Sequence, residues 1–233
     1  MIDNIESWGR YPIGSHKEVI NIFWRDELPD FSKINGSVLP IGLLKSYGDS
    51  CLNFDNTLLN VSGCNRLIDF NQEEGIITCE AGTTLAEILN FTVPRGWFLA
   101  STPGTKHITV GGAIANDVHG KNHHKGGTFG CHVLEFELVR TDGEKIICSQ
   151  TQNPELFSAT IGGLGLTGII TWARFKLQRC PSPFINMETI KFDCIEEFFE
   201  INSESENQFD YTVSWIDTTA TGANLGRGLY NRG

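Results

Sequence analysis

Short apolar runs rich in Val, Ile and Leu, each bounded by Gly, Asn or Asp, recur at residues 38–43, 58–61, 76–79 and 133–139. Brief runs between turn-forming residues predict strands, because a helix needs a longer periodic stretch. The period changes after Thr84, where Glu87 stands three residues on and Leu85, Ile88 and Leu89 share one helical face. That pattern predicts a capping box opening a short helix, which Pro94 stops. Strand, helix and strand then follow one another in a βαβ-like piece.

Val133, Phe136 and Leu138 are set among Glu135 and Glu137, and Thr141-Asp142-Gly143-Glu144 supplies turn chemistry before Lys145-Ile146-Ile147-Cys148. A hairpin is the economical reading. Asn153-Pro154-Glu155 predicts a helix with Pro at its first position, running through Leu156, Phe157 and Ala159. In the strand predicted next, Ile169, Thr171, Ala173, Phe175 and Leu177 fall on one face. Pro181-Ser182-Pro183 breaks the pattern and predicts a domain boundary. Residues 193–210 carry seven acidic side chains and no basic one. The roughly 50 residues past the boundary are too few for an independent core without staples, so they are expected to begin something larger.

Composition narrows the function classes. The chain has 233 residues, 40% hydrophobic and 20% charged, as an ordinary folded protein does. Its net charge of −10 argues against nucleic acid as a partner, because phosphate contacts need clustered basic residues. No basic region leads into an apolar run at the start, and no stretch of about 18 apolar residues occurs, so a protein that is not transmembrane and has no signal peptide is expected. Seven scattered cysteines without a CxxC pair fit reduced thiols and a cytoplasmic location better than a disulfide framework or a zinc site.

Against this acidic background, residues 103–133 form a basic island. They hold five of the six histidines (His107, His119, His123, His124, His132) and Lys106, Lys121 and Lys125, with Asp117 the one acid. They are also rich in glycine, at Pro103-Gly104-Thr105, Gly111-Gly112, Gly120, Gly126-Gly127 and Gly130. Bare backbone with local positive charge suits a pyrophosphate, to which the amides around Gly104, Gly111 and Gly112 are expected to donate. A second candidate, Gly42-Leu43-Leu44-Lys45-Ser46-Tyr47-Gly48-Asp49, follows a strand and combines glycines, a lysine and hydroxyls as an anion-holding turn would. Taken alone it reads more readily as a plain surface turn. The Gly162 to Gly168 stretch is no Rossmann fingerprint, because its glycines follow a helix and lead into a strand. His119, His123 and His124 could be drawn as a metal site, but no carboxylate pair or cysteine spacing completes it, and no metal is expected.

Ser46-Tyr47-Gly48-Asp49, Pro103-Gly104-Thr105, Thr109-Val110-Gly111-Gly112-Ala113-Ile114-Ala115, Phe129-Gly130 and, above all, His119-Gly120-Lys121-Asn122-His123-His124 resemble the decaprenylphosphoryl-β-D-ribose oxidase family. That family lies within the vanillyl-alcohol-oxidase, or PCMH-type, FAD-binding superfamily. The likeness runs from Glu6-Ser7-Trp8-Gly9-Arg10 to Leu225-Gly226-Arg227. It implies an α+β fold, with a PCMH-type FAD-binding domain of two α+β subdomains (residues 1–70 and 71–180) and the start of a substrate domain (181–233). It implies that Ile41, Gly42, Lys45, Ser46, Tyr47, Gly48, Asp49, Ser50, Pro103, Gly104, Thr105, Thr109, Val110, Gly111 and Gly112 wrap the pyrophosphate. Asn116, Asp117 and His119 line the flavin in this reading, and Ile169 or Ile170 meets the adenosine end.

The implied reaction is oxidation of a sugar 2'-hydroxyl carbon with hydride passing to FAD, in cell-wall arabinan metabolism. The substrate is then a sugar or polyprenyl-phosphosugar, the lipid carrier could bring the protein to a membrane, and a short-chain reductase is the partner that reduces the keto product. His119 against the flavin and Lys121 toward the substrate are the catalytic candidates. The first loop has no histidine, so FAD is expected to be non-covalent, and it carries Leu44 and Lys45 where the family has glycine and arginine. The family's catalytic lysine lies in C-terminal segments that this chain does not contain, so the chain by itself is expected to bind FAD and turn over little. An aldonolactone- or alditol-type oxidase and a non-catalytic FAD-binding module are the alternatives.

Overall fold

The computed structural model describes residues 5–233. Its first layer is a small parallel sheet of β1 (Glu18–Asn21), β2 (Val38–Ile41) and β3 (Thr57–Asn60), in the order β1-β3-β2. A parallel strand between two neighbours is covered on both faces and must be apolar throughout. Leu58 and Leu59 of β3 are accordingly fully buried on opposite sides, Leu58 against Leu39 and Ile41, Leu59 against Ile22, Val61 and Cys64.

The second layer is an antiparallel sheet of β4 (Leu67–Asn71), β5 (Ile76–Glu80), β6 (Trp97–Leu99), β7 (Val133–Val139), β8 (Lys145–Ser149) and β9 (Ile169–Arg179). The order is β4-β5-β9-β7-β8, with β6 paired to the end of β9. β9 is central, and Ile169, Thr171, Ala173, Phe175 and Leu177 are all buried. The helices α1 (Leu85–Thr92), α2 (Val110–Ala115) and α4 (Pro154–Thr160) contribute Leu85, Ile88, Val110, Ile114 and Phe157 to this core, where Phe157 stacks on Phe136 at 5.3 Å. The capping box at α1 is complete, with Thr84 Oγ1 accepting from Glu87 N and Glu87 accepting from Thr84 N.

The two sheets share a core. Val139 and Ile169, at the ends of β7 and β9, pack into the cluster of Ile22, Leu59 and Val61. Arg66 fastens the same joint: Nη1 donates to Phe23 O and to the buried Glu80 carboxylate, while the guanidinium lies 3.7 Å from the Trp24 ring centroid.

After the proline break, β10 (Glu188–Phe192), β11 (Thr212–Ile216) and β12 (Gly228–Arg232) form an antiparallel sheet in the order β10-β12-β11. α5 (Ile195–Ser205) packs on one face through Phe198 against Phe192 and Tyr230. The acidic run is thus the solvent side of a helix whose first turn holds Glu196 and Glu197, where the helix dipole favours negative charge.

The structure differs from the sequence reading in two places here. β4 runs from Leu67 to Asn71, across the expected division at residue 70, so the sheets part just after β3. The run at 38–43 leaves the strand at Ile41, since Leu44 takes a positive φ of 54° and the chain turns away.

Candidate functional site

The two loops singled out by their glycines meet. Gly42, directly after β2, lies against Thr109, and a Cβ there would overlap the Thr109 side chain. Thr109 is the N-cap of α2, its Oγ1 accepting from Gly112 N at 3.1 Å. Between these loops runs a cleft of about 590 Å³, its open mouth included. Pro40, Ile41, Ser46, Ser50 and Cys51 form one wall, Gly111, Gly112, Ala115 and Asn116 the other, and Leu164, Gly165, Gly168 and Ile170 the end. No Asp or Glu lines it, although the chain carries a net charge of −10. Burial pushes the Cys51 thiol pKa up, so the wall holds a neutral sulfur rather than a thiolate.

The amide donors are distributed differently from expectation. Val110 N donates to Thr83 O and Gly111 N to Ala81 O, both at 2.8 Å, and Gly112 N is held by Thr109. These three amides are spent inside the protein, because the first turn of α2 is bridged to the chain leaving β5. Glycine at 111 serves packing instead: a Cβ there would lie 3.1 Å from the Ala81 methyl. Among the described residues, by contrast, the N–H groups of Gly42, Leu43, Leu44 and Lys45, and those of Gly104 and Thr105, have no hydrogen-bond partner. The donors available to an anion therefore sit in the β2 loop and the Gly104 turn.

Other expected residues also divide. Ile170 lines the cleft, whereas Ile169 points the opposite way into the shared core. Asp117, expected along the flavin, has a positive φ of 41° and accepts from Gly130 N at 2.8 Å, so its carboxylate holds the turn before β7. Asn116 stays at the cleft, its Nδ2 donating to Gly112 O. Lys45 lies over the Trp8 ring at 5.2 Å, and Tyr47, Gly48 and Asp49 are exposed on the outer side of the loop.

Pro103, Gly104 and Thr105 line a separate groove with Leu85, Leu89, Phe98, Thr102 and Lys106. Phe98 and Thr102 also belong to a cavity of about 1230 Å³, open to solvent, on whose wall Lys121 lies. His119 is exposed beside α2, its ring 5.7 Å from that of His123. The rest of the histidine run, including α3 (His123–Gly126), is a docking segment for the third sheet. Thr212 N donates to Lys121 O, His124 Nε2 lies 3.3 Å from Phe209 O, and Lys125 pairs with Asp210. Among the described residues no group of three or more His, Cys, Asp or Glu is placed to hold a metal ion, and no helix is long and apolar enough to cross a membrane.

Sequence reasoning set the Gly162 to Gly168 loop aside as a fingerprint, and the order α4, loop, β9 agrees with that. It missed that this loop closes the cleft. Gly162 N and Leu164 N donate to Ile114 O and Ala115 O at the end of α2, and Gly165, with φ 78°, lies so close to Pro40 that a Cβ would sit 3.3 Å from Cγ. Its glycine density was the available signal.

A family model described as FAD binding domain matches residues 27–149. Decaprenylphosphoryl-beta-D-ribose oxidase of Mycolicibacterium smegmatis is 33% identical over 198 residues, 84% of this chain and 43% of that protein. An uncharacterized protein of Streptomyces coelicolor is 34% identical over 145 residues (62% and 39%), and cytokinin dehydrogenase 2 of Arabidopsis thaliana 40% over 101 residues (43% and 20%). The chain spans less than half the length of these relatives.

Proposed function

The chain belongs to the FAD binding domain family, and from that premise we propose that it is the cofactor-holding portion of a flavin-dependent oxidoreductase acting on a CH–OH group of a sugar or polyprenyl-phosphosugar. The observation that carries this is the acid-free cleft between the two sheets, with unpaired amides on the β2 loop. Its walls fit the cofactor: small residues such as Gly111, Gly112, Ala115 and Gly165 let a diphosphate approach backbone, and in the neighbouring groove Gly104 has open space where a Cβ would be.

In this reading the small parallel sheet of β1 to β3 and the antiparallel sheet of β4 to β9 hold FAD between them. The amides of residues 42–45, with the Ser46 and Ser50 hydroxyls, bind the diphosphate. Ile170, Gly165 and Pro40 enclose the adenosine end. The free amides of Gly104 and Thr105 join those of residues 42–45 on the diphosphate, Asn116 and His119 orient the ring system, and Lys121 binds a substrate oxygen from the cavity side. When bound, the flavin supplies the hydride acceptor. The unit after residue 181 begins the substrate side, and a short-chain reductase acting on the keto product is the partner this reaction calls for. A decaprenylphosphoryl-ribose oxidase relative favours the sugar reading over an alditol or aldonolactone oxidase.

Titration of the purified chain with FAD, followed by quenching of flavin fluorescence, tests the cofactor. Saturable binding, with the flavin released into the supernatant on acid precipitation, is expected because no histidine stands in residues 42–50. Absence of binding overturns the reading, and yellow colour retained on the precipitate overturns its non-covalent form. Bleaching of the flavin by candidate sugars in a longer chain separates the substrate classes.

A further inference from the structure

The β2 loop, which supplies most of the free amides, does not hold itself in place. Among the described residues, one hydrogen bond ties residues 42–48 to anything outside residues 42–51, from Trp8 N to Ser46 O at 3.1 Å. Leu44, in the middle of the loop, has a φ of 54°, a conformation that persists only where the surroundings enforce it. The segment before β1 does so. Ile5 and Leu44 pack against the same cluster of Leu39, Ile41 and Leu58, and Gly9 lies against the loop, where a Cβ would stand 3.9 Å from Gly48 N. This segment is itself folded, since Arg10 N donates to Ser7 O at 3.0 Å and Ser7 is buried. Residues 5–10 thus form a strap across the loop.

Trp8 is the large residue of the strap, and it is 60% exposed, so burial does not account for its ring. The ring faces the loop's one basic side chain, with Lys45 Nζ 5.2 Å from its centroid. Lys33, Lys125, Lys145 and Lys191 each pair with an aspartate. The Lys45 ammonium, by contrast, meets no carboxylate among the described residues and rests on the indole. A carboxylate would cancel that charge, whereas a ring face restrains the cation and leaves it available to an anion.

We propose that Trp8 is a positioning residue for the cofactor cradle: its ring holds the Lys45 ammonium in place on the loop whose amides are free, so that a full charge joins those N–H groups on the diphosphate. This rests on the cofactor reading above, and one arm of its test needs no flavin.

FAD affinity is measured by quenching of flavin fluorescence, and the restraint on Lys45 by native cleavage with a lysine-specific endoproteinase in the absence of FAD, the cut located by mass spectrometry. Trp8→Ala keeps the backbone bond to Ser46. It should weaken FAD binding about two- to fivefold, the most an exposed cation–π contact transmits, and leave the melting temperature unchanged. Trp8→Phe, which keeps a ring face, should restore most of the loss. In a Lys45→Met background Trp8→Ala should cost nothing further, whereas a tryptophan that touches the cofactor itself would cost the same in both backgrounds. Without FAD, cleavage after Lys45 should be faster in Trp8→Ala than in the parent. Equal losses in the two backgrounds, a loss that comes with a lower melting temperature, or equal cleavage rates overturns the proposal. A parent that binds FAD, with Trp8→Ala binding it equally well, overturns the role of Trp8 and leaves the cofactor reading standing. A parent that binds no FAD overturns both.

Discussion

Two glycines of the proposed cradle, replaced separately by alanine, distinguish a position where an added methyl meets the protein from one where it meets only the ligand. At Gly42 a methyl group would lie 2.9 Å from Thr109 Cγ2 and 3.2 Å from its Cβ. Thr109 is 2% exposed and caps α2, so it cannot move aside without loosening the helix start. Overpacking of this kind costs roughly 1–3 kcal/mol, and a lost cap about 1 kcal/mol. At Gly104 nothing lies within 4 Å of where a methyl group would stand, and its φ is not in the left-handed region. Gly104→Ala should therefore keep or raise stability by about 0.4–1 kcal/mol, through the unfolded chain. Its methyl would nonetheless stand where the cofactor approaches the backbone. Displacing one amide from a charged group costs roughly 1.5–3 kcal/mol, about 10- to 100-fold in affinity. Urea unfolding gives the stabilities and FAD titration the affinities. A Gly104→Ala chain that binds FAD like the parent would show that no ligand passes this turn.

Three further outcomes follow from single groups. Glu80 is 3% exposed and holds Arg66 N and Nη1, so Glu80→Ala should destabilise by roughly 1–3 kcal/mol, less than a fully buried pair because Arg66 reaches solvent; a change under about 0.5 kcal/mol in urea unfolding would contradict the role of this joint. Thr84→Ala removes the capping box of α1 and should cost about 1 kcal/mol, which Thr84→Ser should largely restore. His16 is fully buried with neither ring nitrogen bonded to a described residue, and burial holds its pKa below 6.5. The unfolded chain therefore takes up the proton first, so this contribution to stability is complete above pH 6.5 and declines as pH falls below it. Melting temperatures should fall more steeply with acid for the parent than for His16→Leu, and parallel curves would refute the assignment.

Much of this was legible in the sequence because local rules sufficed. The capping box at Thr84, the hairpin around Asp142-Gly143 and the alternation along β9 each report their geometry within a few residues. β1, β4 and β6 were not legible, since strands of three to five residues carry too little pattern and are made by pairing with distant partners. In the site, glycine marked the right loops but not their tasks. Whether an amide at Gly111 or at Gly42 is free depends on what Ala81 and Thr83 do, and tertiary hydrogen bonds leave no local trace. Ile169 and Ile170 illustrate the same limit: adjacent residues, opposite faces, and only the placement of the second sheet decides which one meets the cleft.

Amide hydrogen exchange of the chain, read by NMR with and without FAD, examines the proposed cradle directly. The N–H groups of Gly42, Leu43, Leu44, Lys45, Gly104 and Thr105 should exchange fast in the free chain and become protected on binding, while those of Val110, Gly111 and Gly112 should be slow throughout. Protection gained at Val110 to Gly112, with the β2 loop still fast, would contradict this assignment of donors.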